Sequence, residues 1–347
     1  MDSYMIFCTL FDSGYLDKGL ALYRSMRKQI GNFKLYIAAF DNKCYEVLSD
    51  MRLKNVVLIP LEEIMNDQLR QKKKERTRAE FCWTCTSVVI EHVLMRYQEM
   101  VCTYIDADIY FFANPDSIIK QIVDQGCSVG VAPHGFERSY WDVEQKINNG
   151  RYCIHFNTFF HTENGLKVLK EWKEDCFNWC YSRCEDGKLG DQKYADRWKL
   201  KYSCVHEIKN LGAGVAPWNV HLYAYYGRED RKILLGYRNQ KFPLVFYHFE
   251  GLKYLDDGSV FLNLWKFNVS GLKKKVNEIY SEYFREIGMV RKYLKSNYGI
   301  FFEDMRVDKK TFLKSKCSIK EFCRDKGLLG GLKDWIKFRI NNMMWEE

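Results

Sequence analysis

Two aspartates, Asp106 and Asp108, stand two residues apart in the apolar, β-branched and aromatic run 101–112. In extended chain residues i and i+2 point the same way, so the two carboxylates are expected to project together where the strand ends. Neighbouring anions flanked by apolar chain are costly unless something neutralises them. A divalent cation with oxygen ligands would do so, and such an ion would in turn hold a phosphate-bearing substrate. The bland alternative is a pair of loop aspartates ahead of the turn Asn114-Pro115-Asp116. His248 is the second anchor: it ends the apolar run 243–249 and precedes Gly251, whose missing side chain would let backbone approach a ligand. Neutral imidazole suits Mn²⁺ better than Mg²⁺, although a histidine ending a strand is more often structural. Cys82 and Cys85 have the C-x-x-C spacing of redox or zinc sites, and Cys176, Cys180 and Cys184 fall on one helical face. No second C-x-x-C pair accompanies the first, and Trp179 and Tyr181 beside the second group point to packing.

The elements that must hold these residues alternate. Strand-like runs at 4–11, 33–40 and 55–60 are separated by helical spacing at 18–28 and 45–51. A helix over 81–97 leads into the Asp106 strand, and strands follow at 127–133 and 151–160, the latter with Asn157 in its middle. A helix over 164–182 comes next, then Lys188-Leu189-Gly190-Asp191-Gln192, which opens another. Such alternation predicts an α/β fold, a mostly parallel central sheet flanked by helices. Ligands in such sheets lie beyond the carboxyl ends of the strands, where Thr9, Leu10, Asp41, Asp106 and Asp108 fall.

The totals are those of an ordinary globular protein: 347 residues, 47% hydrophobic and 29% charged. No apolar run is long enough to span a bilayer, and the first residues lack a basic n-region and a small-residue cleavage site. The 13 cysteines are therefore expected to be reduced thiols, and the location cytoplasmic. The net charge of +9 is concentrated at residues 72–78 and after about residue 309. Anionic partners follow: a nucleoside diphosphate or acidic lipid head groups. Nucleic acid is discounted, since aromatics are not interleaved with the basic runs. From about residue 272 the texture becomes basic amphipathic helix, and the stretch 327–339 mixes apolar, aromatic and basic residues. It could lie on an anionic bilayer as a peripheral anchor, or pack on the main domain with a solvated basic face.

Taken in order, Asp106-Ala107-Asp108, Asn157, Asp191-Gln192 and His248-Phe249-Glu250-Gly251 resemble the motifs of glycogenin-like, metal-dependent retaining glycosyltransferases of the GT-A fold. Phe7-Cys8-Thr9-Leu10, Tyr15 and Lys18-Gly19 resemble their nucleotide-binding first strand and helix, and Cys82-Trp83-Thr84 the helix ahead of the Asp-x-Asp strand. The resemblance covers roughly residues 4–254. It implies Asp106, Asp108 and His248 as ligands of Mn²⁺ (or Mg²⁺) on a sugar-nucleotide diphosphate. It implies Thr9, Leu10 and Tyr15 against a nucleoside, usually uridine, and Asn157, Asp191 and Gln192 against the transferred sugar. Asp106, Arg78 (or Arg76) and Lys253 complete the implied donor site. Lys253 comes five residues after His248 rather than six and is not followed by Pro-Trp, Thr158-Phe159 replace small residues, and Ala79 stands where a basic residue is usual. These departures suggest a branch nearer the bacterial surface-polysaccharide transferases.

The reading is a GT-A domain over residues 1–270 and a basic helical C-terminal extension over 271–347. Its function would be transfer of a sugar from a UDP-sugar to a glycan or lipid-linked glycan acceptor, with retention. Asp191 could stabilise an oxocarbenium-like transition state, or merely cap a helix after Gly190. A sugar nucleotidyltransferase is the other enzyme class, but residues 10–15 lack its glycine-rich basic loop. A non-catalytic glycan- or nucleotide-binding domain would have broken metal ligands, whereas all three are present.

Overall fold

The structure, a computed structural model, describes residues 4–136, 147–264, 273–316 and 343–345; the stretch 327–339 lies outside them. The chain divides into two compact units, Met1–Gly214 with Leu244–Phe246, and Val215–Pro243 with Tyr247–Glu347.

The first unit is built on strands β1 (Met5–Phe11), β2 (Phe33–Ala39), β3 (Val56–Pro60), β4 (Val101–Ile105), β5 (Ile109–Phe111), β6 (Val129–Pro133), β7 (Tyr152–Phe160) and β8 (Val205–Glu207). All but β5 form one sheet in the order β3-β2-β1-β4-β7-β6-β8. The β1–β2, β2–β3, β1–β4 and β6–β8 pairs are parallel, and only β7 runs against its neighbours. β1 and β2 are near-continuous apolar runs because both faces are covered, as parallel strands require. Helices α1 (Leu16–Gln29), α2 (Asn42–Met51) and, after the short α3 (Leu61–Ile64) and α4 (Asp67–Glu75), α5 (Arg78–Arg96) cover the sheet with the helix Glu163–Asn178. Asp41 caps α2 by accepting from the Cys44 N–H at 2.8 Å. Thr77 and Glu80 form a capping box at the start of α5. A stack of Phe159 on Trp172, with Trp198 edge-on to both, fills the core beneath β7.

The run 101–112 is not one strand. β4 ends at Ile105 and β5 begins at Ile109, with a turn closed by the Ile109 N–H donating to the Asp106 carbonyl at 3.2 Å. The two aspartates therefore share a turn rather than the face of one strand. The apolar pattern hid this break, because both short strands are buried and read as a continuous run. The helix expected after Gln192 is a 3-10 turn (Lys193–Arg197) followed by one short helical turn (Trp198–Lys201).

The second unit carries β9 (Ala224–Glu229), β10 (Lys232–Tyr237) and β11 (Gln240–Pro243), an antiparallel sheet. Its two-residue turns, Asp230-Arg231 and Arg238-Asn239, hold all four residues at positive φ, as hairpin turns matched to strand twist demand. β12 (Phe246–His248) begins on the last residue of the first unit and pairs with β5. β13 (Lys253–Tyr254), β14 (Ser259–Phe261) and β15 (Met343–Trp345) form a further sheet. The long helix Lys273–Tyr298 packs Tyr280 and Tyr283 on Tyr247 and Phe249, with Phe249 and Tyr283 stacked at 3.7 Å. Lys275 is buried on this helix and donates to the Val220 and Tyr223 carbonyls; burial brings its pKa down to about 8.

Candidate active site

β7 shapes the site. It pairs with β4 through Tyr104↔Asn157 and Ile105↔Phe156, and the His155 carbonyl then accepts from the Asp106 N–H at 3.1 Å. On its other side the β6 partner jumps from Asn157 to Cys153 between Val131 and Ala132, a bulge centred on His155. Beside that bulge, Gly214 takes φ +83°, and a Cβ there would lie 3.1 Å from the His155 ring. The backbone of the Asp106 turn is thus tied to β7.

Around that turn the side chains form a network that the sequence did not reveal. The Tyr104 hydroxyl donates to Asp106 Oδ1 at 2.9 Å. Thr86, on α5, hydrogen-bonds the Asp191 carboxyl, and the Trp172 indole donates to the Asp191 carbonyl at 2.9 Å. Gly190 takes φ +52° against the Trp83 ring and sets the direction in which Asp191 leaves the turn. Burial, then the nearby Asp106 charge, pushes the Asp191 carboxyl up to about 8. Asp191 caps no helix: the cap position of the following turn is Gln192, whose side chain instead donates to the Asn149 carbonyl at 2.9 Å. Lys18 is buried 3.9 Å from the Tyr15 ring centre. Burial works against its charge, but Tyr15, Asp108 and Asp17 outweigh it and raise its pKa.

Asp106, Asp108 and His248 form a group that could hold a metal ion, one ligand atom from each lying within 4.8 Å of the others. His248 also falls in a second such group with Cys153 and His155. The two carboxylates with one imidazole are the donor set that suits Mn²⁺ or Mg²⁺. Asp108 and His248 are buried, which a bound cation makes tolerable for the carboxylate.

The remaining expected residues are placed as follows. Asn157 is fully buried, and neither its amide oxygen nor its nitrogen has a hydrogen-bond partner among the described residues. Thr9 and Leu10 are buried within β1, and Tyr15 is partly exposed on the 3-10 turn after it. Arg78 meets Asp12 and Asp41 at the carboxyl ends of β1 and β2. Arg76, the alternative to it, is buried, with its guanidinium on the Thr84 hydroxyl and, at 2.9 Å, the Phe177 carbonyl. It is a core residue. Lys253 is half-buried on β13. The space beside Gly251 is taken by Asn263, whose amide nitrogen would lie 2.2 Å from an added Cβ and donates to the Glu250 carboxylate at 2.6 Å. Burial pushes the Cys82 thiol up to about 12 and that of Cys85 well above the thiol range, so neither supplies a thiolate. Cys176 and Cys180 are buried while Cys184 is exposed, and no metal-holding group among the described residues includes them.

No protein-family profile matches the chain. The protein YfnF of Bacillus subtilis (strain 168), described as uncharacterized, is 30% identical over 253 residues, 71% of this chain and 81% of YfnF. The chain belongs to the YfnF family. Among solved structures, mouse xyloside xylosyltransferase 1 in its apo form is similar at a TM-score of 0.45 and 11% identity, over 72% of this chain and 98% of that one. The galactosyltransferase LgtC, in complex with donor and acceptor sugar analogs, is similar at 0.46 and 12%, over 71% and 87%. The fold of this YfnF-family chain is a mostly parallel seven-stranded sheet flanked by helices, with the Asp-x-Asp turn leaving its fourth strand. No helix among the described residues is long and apolar enough to cross a membrane.

Proposed function

We propose that this protein is a metal-dependent glycosyltransferase that moves a sugar from a UDP-sugar to a glycan or lipid-linked glycan acceptor, with retention, in surface-polysaccharide assembly. The observation that carries the reading is the Asp106–Asp108–His248 group with Asp191 held against Asp106. Asp106, Asp108 and His248 would hold a divalent cation, Mn²⁺ or Mg²⁺, which would supply positive charge to a diphosphate leaving group. The Tyr104 hydroxyl donates to one oxygen of Asp106 and so helps to orient that carboxylate. Lys18 tempers the negative field at Asp108. Asn157, with a buried donor and acceptor to spare, suits sugar hydroxyls, and Gln192 borders the same turn as Asp191. The raised pKa of Asp191 lets it carry a proton to donate to a hydroxyl of the bound sugar; ionised, it can stabilise positive charge at the anomeric carbon. Thr9, Leu10 and Tyr15 border the nucleoside, while Arg78 and Lys253 supply cations toward the phosphates. We assign residues 1–270 to the transferase domain and 271–347 to a basic extension that keeps a cytoplasmic enzyme at the membrane face.

The test is nucleotide release from a panel of UDP-sugars, with and without Mn²⁺. Metal-dependent release or donor hydrolysis with at least one sugar, lost in Asp108→Ala, is expected. Absence of release with every donor, under conditions where the protein is folded, overturns the enzyme reading.

A further inference from the structure

The helix Lys273–Tyr298 presents Gly288, Arg291, Lys292 and Lys295 at spacing i, i+3, i+4 and i+7, which is one face. Where the chain turns back through Gly299, at φ +61°, Phe302, Glu303 and Arg306 come opposite that face. Together they enclose a cleft of about 250 Å³ within the second unit. A Cβ on Gly288 would meet nothing within 4 Å, so this stretch of the helix surface is open. Four cations (Arg291, Lys292, Lys295 and Arg306) and one carboxylate (Glu303) line the cleft, a formal charge of +3. Within it Lys295 pairs with Glu303 at 3.4 Å through side chains about half exposed, and such pairs bind weakly enough to be displaced. Arg291 is held flat by aromatic rings, 3.6 Å from the centre of Tyr254 and 5.2 Å from that of Phe302, so its orientation is set before any ligand arrives.

An open solvated basic face would repel itself and spread; here the charges converge on a concave wall with one rigid guanidinium. We infer that this cleft is a phosphate-binding pocket. Its volume is below the ~300–1,000 Å³ of sites that enclose a whole drug-sized molecule. It suits a phosphate or diphosphate group, carried by a lipid head group or by a soluble ester, rather than a complete sugar nucleotide. The pocket uses none of the residues assigned to sugar transfer, so it stands or falls independently of that reading.

The full chain is titrated calorimetrically with sodium pyrophosphate at fixed ionic strength in excess chelator, which removes any contribution from the Asp106–Asp108–His248 metal group. Lys292→Gln/Lys295→Gln alters only exposed side chains and is expected to fold; Arg306→Gln is the second variant. Lys232→Gln, on the exposed surface of β10, controls for net charge. Wild type and Lys232→Gln should bind alike, and the pocket variants at least about tenfold more weakly, the loss of one or more charge-assisted hydrogen bonds. Co-sedimentation with phosphatidylcholine vesicles, with and without phosphatidic acid, then separates the sources. Phosphatidic-acid-dependent binding lost in the same variants assigns a lipid head group, and pyrophosphate binding without it assigns a soluble ester. No pyrophosphate binding by wild type, or binding equal in wild type and pocket variants, overturns the inference.

Discussion

Asp191 should hold its place at the expense of stability. Its carboxyl is buried beside Asp106, and its pKa rises from 3.8 to about 8. A carboxyl with a raised folded pKa contributes stability that is complete below the unfolded value and lost as pH rises toward the folded one. The window here runs from about 3.8 to about 8. Between pH 3.8 and 7 the unfolded chain releases a proton that the folded chain keeps, a penalty of about 4 kcal/mol at roughly 1.4 kcal/mol per pH unit. Asparagine reproduces the neutral acid without that proton. Asp191→Asn should therefore match wild type near pH 4 and exceed it increasingly up to pH 8. In thermal terms the gain at pH 7 is roughly 8–16 °C for a unit of this size. The assay is urea or thermal unfolding followed by circular dichroism at several pH values between 4 and 8, with chelator present so that no cation compensates the acids. The same variant should lose sugar transfer by about 10²-fold or more, as expected when a group that stabilises developing charge is removed. A difference between variant and wild type that stays constant with pH would refute the electrostatic argument, whatever happens to activity.

Three further outcomes follow from the same geometry. UDP with Mn²⁺ should raise the melting temperature of wild type, by the equivalent of about 2.7 kcal/mol at a hundredfold excess over Kd, and Asp108→Ala should abolish the rise while folding normally. Gly190→Ala places a side chain at φ +52° within 3.4 Å of the Trp83 ring, so it should cost about 1 kcal/mol or more and lower kcat more than stability alone accounts for; steady-state kinetics read the split. Glu80 accepts from Thr77 and from the Ser182 N–H and hydroxyl. Burial opposes its charge, but those hydrogen bonds prevail and hold its carboxyl near 2. Its stabilisation is present above about pH 4.5 and lost as pH falls toward 2, so Glu80→Gln should flatten the acid limb of the unfolding curve.

Much of this arrangement could be read from residue order, and what could not shares a physical cause. The alternation of apolar strands with helical spacing specified the parallel half of the sheet, because parallel strands buried on both faces leave a strong local signal in β1 and β2. Asp106 and Asp108 were legible as a pair, but their geometry was not: a turn between two buried strands has the same apolar pattern as one long strand. Arg76 and Gly251 misled for a related reason. A cation beside a basic run and a glycine after a histidine look solvent- or ligand-facing in sequence. Their neighbours, Phe177 and Asn263, are 101 and 12 residues away along the chain. Tyr104 and Thr86 went unassigned, and Lys18 was read only as part of the first-helix motif, because each is an ordinary residue within its own element. Tyr104 is a strand aromatic, Thr86 a mid-helix hydroxyl and Lys18 a first-turn lysine. What distinguishes them is the carboxylate that the fold brings to each one. Local pattern reports where backbone is buried, whereas the protonation of Asp191 depends on its burial and then on Asp106, 85 positions earlier. The chemistry of the site therefore depends on β4, the Gly190 turn and α5 meeting in register, and a substitution that shifts any one of them should change the titration of Asp191 before it changes the fold.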